Sequence, residues 1–322
     1  MGPHRPRILL TSILDRRNPV LDIARELVER FPPATFESVD ESASADVVLY
    51  LEHGYVGLTD LPRLLRSIRR HPGAKHFLYS ESDWPYAVLP GAYPSLTAPR
   101  SWACSWSYIS AAARPDPVAT NEDGSPAPDL LFSFLGRAST HPIRSDVIRL
   151  NSPTTPCVDI ADAPGRFPSF DYTETYWSLL RRSRFVLCPR GIGTSSIRIF
   201  ETMAAGRVPV IISDAWQPPP AVDWAECSVR VAERNIGDIP AILARAEAHA
   251  PLMGARASAI YAERFAAPVF LDRLSSTLLE SYSHCAINDG AILSRAVRTL
   301  SARELRTLAH VAWTRSVARG GG

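Results

Sequence analysis

Between Arg190 and Arg198 the chain gathers two arginines, two glycines and three hydroxyl residues in the order Arg190-Gly191-Ile192-Gly193-Thr194-Ser195-Ser196-Ile197-Arg198. Residue types in this order suit a phosphate. A glycine turn that enters a helix leaves backbone N–H groups unpaired beside the positive end of the helix dipole. Arg198 stands in the first turn of that helix, where a cation opposes the dipole by roughly 0.3–1 kcal/mol, and an outside anion would reverse the sign. Arg190 and Arg198 could then fork a diphosphate already held by the amides of Gly191 to Ser195. Glu201 shares a helix face with Arg198, so a plain Arg198–Glu201 surface pair is the alternative. A second group could move protons: Glu52-His53-Gly54 and Glu81-Ser82-Asp83 offer His53, Glu81 and Asp83 as bases for a hydroxyl, Asp83 first among them.

The elements that must place these groups read as alternating strands and helices. Phe185 to Cys188 is a buried strand stopped by Pro189 and the glycine turn. Thr194 or Ser195 is the expected N-cap of a helix with Ile197, Phe200, Met203 and Ala204 on one face, Gly206 its closing C′ glycine, and Val208 to Ile212 the next strand. In the first half, Ile8 to Leu10, Asp46 to Leu51 and His76 to Ser80 read as strands, with helices at Pro19 to Arg30 and Leu61 to Arg70. Such alternation builds a parallel sheet whose ligands meet the carboxyl ends of the strands, which brings the His53 and Asp83 tips to one cleft edge. Trp84 to Trp106 reads as ordered loops over that edge. Trp84, Tyr86, Tyr93 or Trp102 could stack on a sugar there, though core packing is the ordinary fate of such rings. Pro115 to Asp129 reads as a linker. Beyond it come a strand at Leu130 to Leu135 ending in Gly136-Arg137, a helix to Leu150 carrying Arg144 and Arg149, a strand at Ser228 to Val231, and helices at Ile239 to His249, Met253 to Phe265 and Leu271 to Ser281. A basic helical tail runs from Ala291 to Arg319; its default is a solvated face, with peripheral contact to an acidic membrane as the sharper reading.

A length of 322 residues suits two domains, and 46% hydrophobic with 21% charged residues is ordinary globular composition. A net charge of +2 with arginines and acids intermixed gives no case for nucleic acid. Five scattered cysteines without a CxxC pair point to reduced thiols and no zinc. The short apolar run near Ile8 is followed at once by Asp15-Arg16-Arg17, so a strand is expected there and not a signal peptide, and with it a cytoplasmic location.

The runs FVLCPRG, SSIRIFE and GRVPVIISDAW, with Pro218 to Pro220 and Asp223-Trp224 behind them, resemble the donor-binding half of the exostosin family of glycosyltransferases, from about Phe132 to Leu279. The resemblance implies a GT-B fold, two Rossmann-like α/β domains whose parallel sheets face across a cleft. It implies an inverting, metal-independent transfer from a nucleotide-diphosphate sugar, usually a UDP-sugar, to a hydroxyl acceptor, with no cofactor. It also implies that Arg190 and Arg198 lie near the diphosphate, Glu201 near the ribose or sugar, and Arg137 in the same cleft. Ile192-Gly193-Thr194 departs from the more basic stretch of several members. The domains expected are 1–125 for the acceptor, 126–280 for the donor and a helical tail, 281–322, that returns to the first domain. Three other readings fit parts of the pattern: an NAD(P)-dependent Rossmann oxidoreductase with Gly191-x-Gly193 and Asp214; a metal-dependent GT-A transferase with Glu81-x-Asp83; and a non-catalytic nucleotide-sugar or glycan binder. On the phosphate reading, Arg198→Ala should leave the empty protein as stable as before.

Overall fold

The computed structural model describes residues 5–14, 17–40, 44–113, 127–165 and 171–299. The first unit opens with β1 (Arg7–Thr11), α1 (Pro19–Arg30), β2 (Glu37–Val39), β3 (Val47–Glu52), α2 (Leu61–Arg70) and β4 (Lys75–Ser80). Asn18 starts α1 by accepting the Leu21 N–H at 3.3 Å, with Pro19 supplying a φ already suited to the first turn. β3 is buried at every position because helices cover both faces of the sheet. Two short strands, β5 (Gly91–Ala92) and β6 (Ala103–Cys104), extend this sheet through the stretch expected to be loops; two residues carry no readable period. The order is β2-β1-β3-β4-β5-β6, all parallel. Tyr86, Tyr93 and Trp102 are buried in its core, and Trp84 alone of the four rings is exposed, at 48%.

After the short α3 (Ile109–Ala112) come β7 (Leu130–Gly136), α4 (Ile143–Ile148), β8 (Cys157–Asp159), α5 (Tyr172–Arg182), β9 (Ser183–Pro189), α6 (Ile197–Ala204) and β10 (Val208–Ile212). Then follow α7 (Trp224–Cys227), β11 (Val229–Arg230), α8 (Ile239–Ala246) and α9 (Ala250–Arg264). Their parallel sheet runs β11-β10-β9-β7-β8. The N-cap of α6 is Ser196, not Thr194 or Ser195, and its hydroxyl makes no capping bond. The reason lies across the cleft, where Thr194 donates its hydroxyl to Leu96 O at 3.4 Å and the turn is held out from the helix. Gly206 closes α6 as expected. Its φ is +64°, and Gly206 N–H to Met203 O and Arg207 N–H to Thr202 O, both 3.0 Å, complete a Schellman motif.

The two units share one continuous core. Trp106 meets Phe265 edge-on at 5.6 Å, Tyr108 meets Phe200 at 6.2 Å, and Phe200 meets Phe265 at 5.2 Å. α10 (Phe270–Tyr282) begins within residues 126–280 and ends two residues past them, yet it packs on the first sheet: Phe270 meets Tyr79 edge to face, and Asp272 accepts the N–H groups of Ala34 and Thr35 at 2.9 Å each. α11 (Asp289–Arg298) continues along the same unit through Arg69–Asp289 at 2.7 Å and Tyr86 Oη to Ala296 O at 3.0 Å. Arg295, expected on a solvated basic face, is instead buried beside Trp102 and donates to Ala286 O at 2.9 Å. Arg298, at the end of α11, is exposed as expected; the tail beyond Thr299, and residues 114–126, which hold most of the expected linker and the domain boundary, lie outside the described residues. No helix among the described residues is long and apolar enough to cross a membrane. Cys104, Cys157, Cys188 and Cys227 are buried free thiols and Cys285 is half-buried.

Candidate active-site cleft

The carboxyl ends of the two sheets face each other across a cavity of about 400 Å³. The first unit contributes His53, Glu81 and Asp83 from the tips of β3 and β4, with Tyr108 and Ser110. The second contributes Arg137, Arg144, Gly191, Ser195, Ser196 and Arg198. A larger cavity of about 640 Å³ lies where Arg184 and Arg207 begin their strands, lined mainly by alanine and proline, and offers no acid–base group.

Arg198 is not on the surface, where the alternative reading placed it in a pair with Glu201. It is 7% exposed, donates from Nη2 to Leu135 O at 2.7 Å, and lies over the rings of Phe134 at 4.9 Å and Tyr176 at 5.5 Å. Burial works against its charge, but Tyr176, Cys188 and Glu201 around it hold its pKa above the ordinary value. Gly136 makes room for it, since a β-carbon there would stand 3.0 Å from Arg198 Nη2.

Arg144, from α4, is the residue that inspection of the turn alone passes over. Its Nε donates to Arg190 O at 2.9 Å, Nη1 to Arg137 O and Nη2 to Pro189 O, both at 3.2 Å, and its guanidinium lies 5.7 Å from the Phe134 ring on which Arg198 also rests. Burial, then repulsion from Arg198, pushes its pKa down to about 10. The sequence did hold a signal. Arg144 stands three residues before Val147 on the buried face of α4, a charge within an apolar stripe.

Two expected donor-site residues sit elsewhere. Glu201 does not reach the cavity wall; it is 3% exposed, one layer below, where it accepts the Tyr176 hydroxyl. Arg190 continues the strand pairing, its N–H on Ile212 O at 3.0 Å, and turns its guanidinium back to Ile192 O at 3.4 Å. The glycine turn itself presses on the first unit. Gly193 N–H donates to Asp83 Oδ1 at 3.2 Å, so this amide is already engaged, and a β-carbon on Gly193 would come within 2.7 Å of that carboxylate oxygen and closer still to Ser95 Oγ.

The three proposed bases separate on contact. Glu81 is committed, accepting Tyr79 Oη at 2.7 Å, Ser110 N–H at 3.2 Å and Ser110 Oγ at 2.9 Å, and burial raises its pKa. His53 is exposed at the cavity rim. Asp83 keeps its second oxygen, Oδ2, clear of the bond to Gly193. The cleft walls strip part of its hydration and raise its pKa, against the Gly193 N–H, Arg144 and His53, which favour its charge. Tyr172 and Ile192, 42% and 43% exposed, add apolar walls to the mouth of the same cavity.

Residues 108–246 match the family model Exostosin GT47 domain. The Exostosin-1 homolog of Caenorhabditis elegans is 44% identical over 70 residues, which cover 21% of this chain and 18% of that protein. Probable beta-1,4-xylosyltransferase IRX10 of Arabidopsis thaliana is 38% identical over 77 residues, covering 23% and 19%. The matches thus span about a fifth of each chain. An alpha1,3-fucosyltransferase crystal structure superposes with a TM-score of 0.47 at 11% identity over 91% of this chain and 93% of that one. The segment that builds the glycine turn and both buried arginines is exostosin-like, as FVLCPRG and SSIRIFE indicated, and it is joined to a second parallel α/β unit in the two-sheet GT-B arrangement.

Proposed function

We propose that this chain is a glycosyltransferase that takes a nucleotide-diphosphate sugar, a UDP-sugar first among them, and transfers the sugar with inversion to a hydroxyl acceptor. One observation carries the reading: two buried guanidinium groups, Arg144 and Arg198, converge on one cavity whose opposite wall is the Asp83 carboxylate. The arginines stand where negative charge develops on a departing diphosphate, and they are held in place before the reaction by carbonyl oxygens and an aromatic ring. Arg137 and the free amides of the turn add to the cradle. Tyr172 and Ile192 offer faces for the nucleotide base or the sugar.

Asp83 takes the proton from the acceptor hydroxyl as that oxygen attacks the anomeric carbon. The bond from that carbon to the diphosphate breaks, and the diphosphate leaves with the electron pair into the field of the two arginines. A single base and a single displacement give inversion, and the arginines take the part a divalent cation plays elsewhere. The curated relatives carry names of different sugar transferases, and this chain aligns with a fifth of their length, so the particular sugar is left open by them.

Thermal-shift titration with UDP, UDP-sugars, other nucleotide sugars and NAD(P) tests the reading. A UDP-sugar at 100 times its Kd should stabilise the protein by about 2.7 kcal/mol. Stabilisation by NAD(P) alone would favour an oxidoreductase. Stabilisation by a sugar nucleotide, with no product formed from any acceptor offered, would favour the non-catalytic binder, and dependence on manganese would remove metal independence.

A further inference from the structure

The first unit holds a second polar cavity outside the cleft, about 500 Å³, lying along α2 and over the carboxyl half of β1. Arg63, Arg66, Ser67 and Arg70 of α2 line it on one side, and Thr11 at the end of β1 and Ser12 just after it on the other. The spacing of the arginines is i, i+3 and i+7, so one helix face presents three guanidinium groups over about 10 Å of axis. Arg66 and Arg70 are like charges four apart, an arrangement that by itself works against the helix. Arg63 is paired with Asp60 at 3.7 Å, and the nearby Arg69, which points elsewhere, with Asp289. Arg66 and Arg70 have no carboxylate partner among the described residues; the one hydrogen bond of the Arg66 side chain runs to Pro62 O at 3.3 Å. A carboxylate does lie behind the groove, but Glu52 is consumed there by Ser12 Oγ at 2.9 Å, Leu14 N–H at 3.3 Å and Asn18 Nδ2 at 3.2 Å.

We propose that this groove binds a linear polyanion, a flexible molecule with two or more acidic groups spaced along it. Its donors form a row along α2 and not a nest: the guanidinium forks of Arg66 and Arg70, with the Ser67 hydroxyl, which accepts from Tyr50 Oη at 3.0 Å and keeps its own hydrogen to donate, between them. Its place gives it a role. Ser12 lines the groove and bonds Glu52, and the next residue, His53, lines the cleft, so one dipeptide at the tip of β3 separates the two cavities. β1 and β4 are two strand spacings apart, about 10 Å. On the reading above, an acceptor whose hydroxyl sits at Asp83 could therefore lay an acidic portion along α2.

Hydrogen exchange and calorimetric titration test this with two probes of the same chemistry, tripolyphosphate and a tetrasaccharide bearing two uronic carboxylates. Either probe should protect the backbone of residues 61–71, and Arg66→Ser/Arg70→Ser should weaken that binding about tenfold or more without lowering the melting temperature. Arg66→Lys/Arg70→Lys should recover part of it. The probe that binds more tightly identifies whether phosphate or acidic carbohydrate is the source. Protection confined to residues 190–198, or unchanged affinity in the serine variant, overturns the proposal. UDP binding, measured on the same variants, reports on the cleft separately and should not change.

Discussion

Arg144 and Arg198 share the Phe134 ring, and Arg198 makes the charge of Arg144 harder to bury. Neutral replacements of similar length should therefore separate binding from folding. Arg144→Met gives up three hydrogen bonds to backbone carbonyls but also relieves a buried charge, so it should lower the melting temperature only modestly while weakening UDP binding ten- to hundredfold, about 1.5–3 kcal/mol for a charge-assisted contact. A large fall in melting temperature with normal UDP affinity would make Arg144 a structural residue. The expectation that Arg198→Ala is harmless to the empty protein does not survive its surroundings: truncation leaves a void between Phe134, Tyr176 and Leu135 O, so the alanine variant should melt lower while Arg198→Met comes closer to wild type. On the proposed mechanism, the pH dependence of turnover belongs to Asp83. A base must be ionised to act, and burial raises this carboxyl, so the acidic limb of kcat/KM should fall above the ordinary carboxylate range. Asp83→Asn should lose 10²–10⁴-fold in rate, on the order of a general base's contribution, and the limb with it. If the limb persists in a residually active Asp83→Asn, another group titrates there. Arg198, Gly191 and Asp83 could be named from the sequence because turn chemistry and strand tips are local. Arg144 left only a charge on the buried face of α4, and the loss of Glu201 to the layer below left no local sign, because it follows from Tyr176 of α5 meeting α6.

At the scale of elements, the glycine turn is a piece of the interface as well as the proposed phosphate cradle. Gly193 has an ordinary φ, so alanine there is acceptable to the backbone and objectionable only for its β-carbon, which meets Asp83 and Ser95. Gly193→Ala should leave both sheets folded by circular dichroism while lowering kcat, because the turn and the β4 tip are pushed apart. Equal activity would mean the two units move aside freely. Gly206→Ala is the contrasting case: the strain is in the backbone, about 1 kcal/mol at φ +64°, and the loss should appear in melting with no change in KM. The positions of α1, α2, α6 and of the long strands were legible because a period of 3.6 or an unbroken apolar run ended at proline or glycine. β5 and β6 are too short for any period, and the N-cap of α6 was displaced by a contact with Leu96, a residue about 100 positions away.

The whole molecule is less divisible than two domains in sequence suggest. Trp106 and Tyr108 from the first half are interlocked with Phe200 and Phe265 from the second, and α10 carries the chain back under the first sheet. Phe265→Ala, which removes a fully buried ring from that junction, should cost about 3–5 kcal/mol and destabilise probes in both sheets together. Two separated transitions would contradict a shared core. The two-sheet plan was legible from the alternation of elements and the motif runs; the shared core was not, since tertiary contact between distant aromatic residues leaves no local pattern. The distribution of thiols turns this architecture into a natural reporter. Burial pushes Cys104 and Cys227 up to about 11 and Cys188 up to about 12, and raises Cys157 as well, while Cys285 lies half-open at the junction of α10 and α11. A maleimide should therefore mark the folded chain once, at the place where the second half hands the chain back to the first, and the appearance of further labels over time would count the openings of each sheet without any residue being changed.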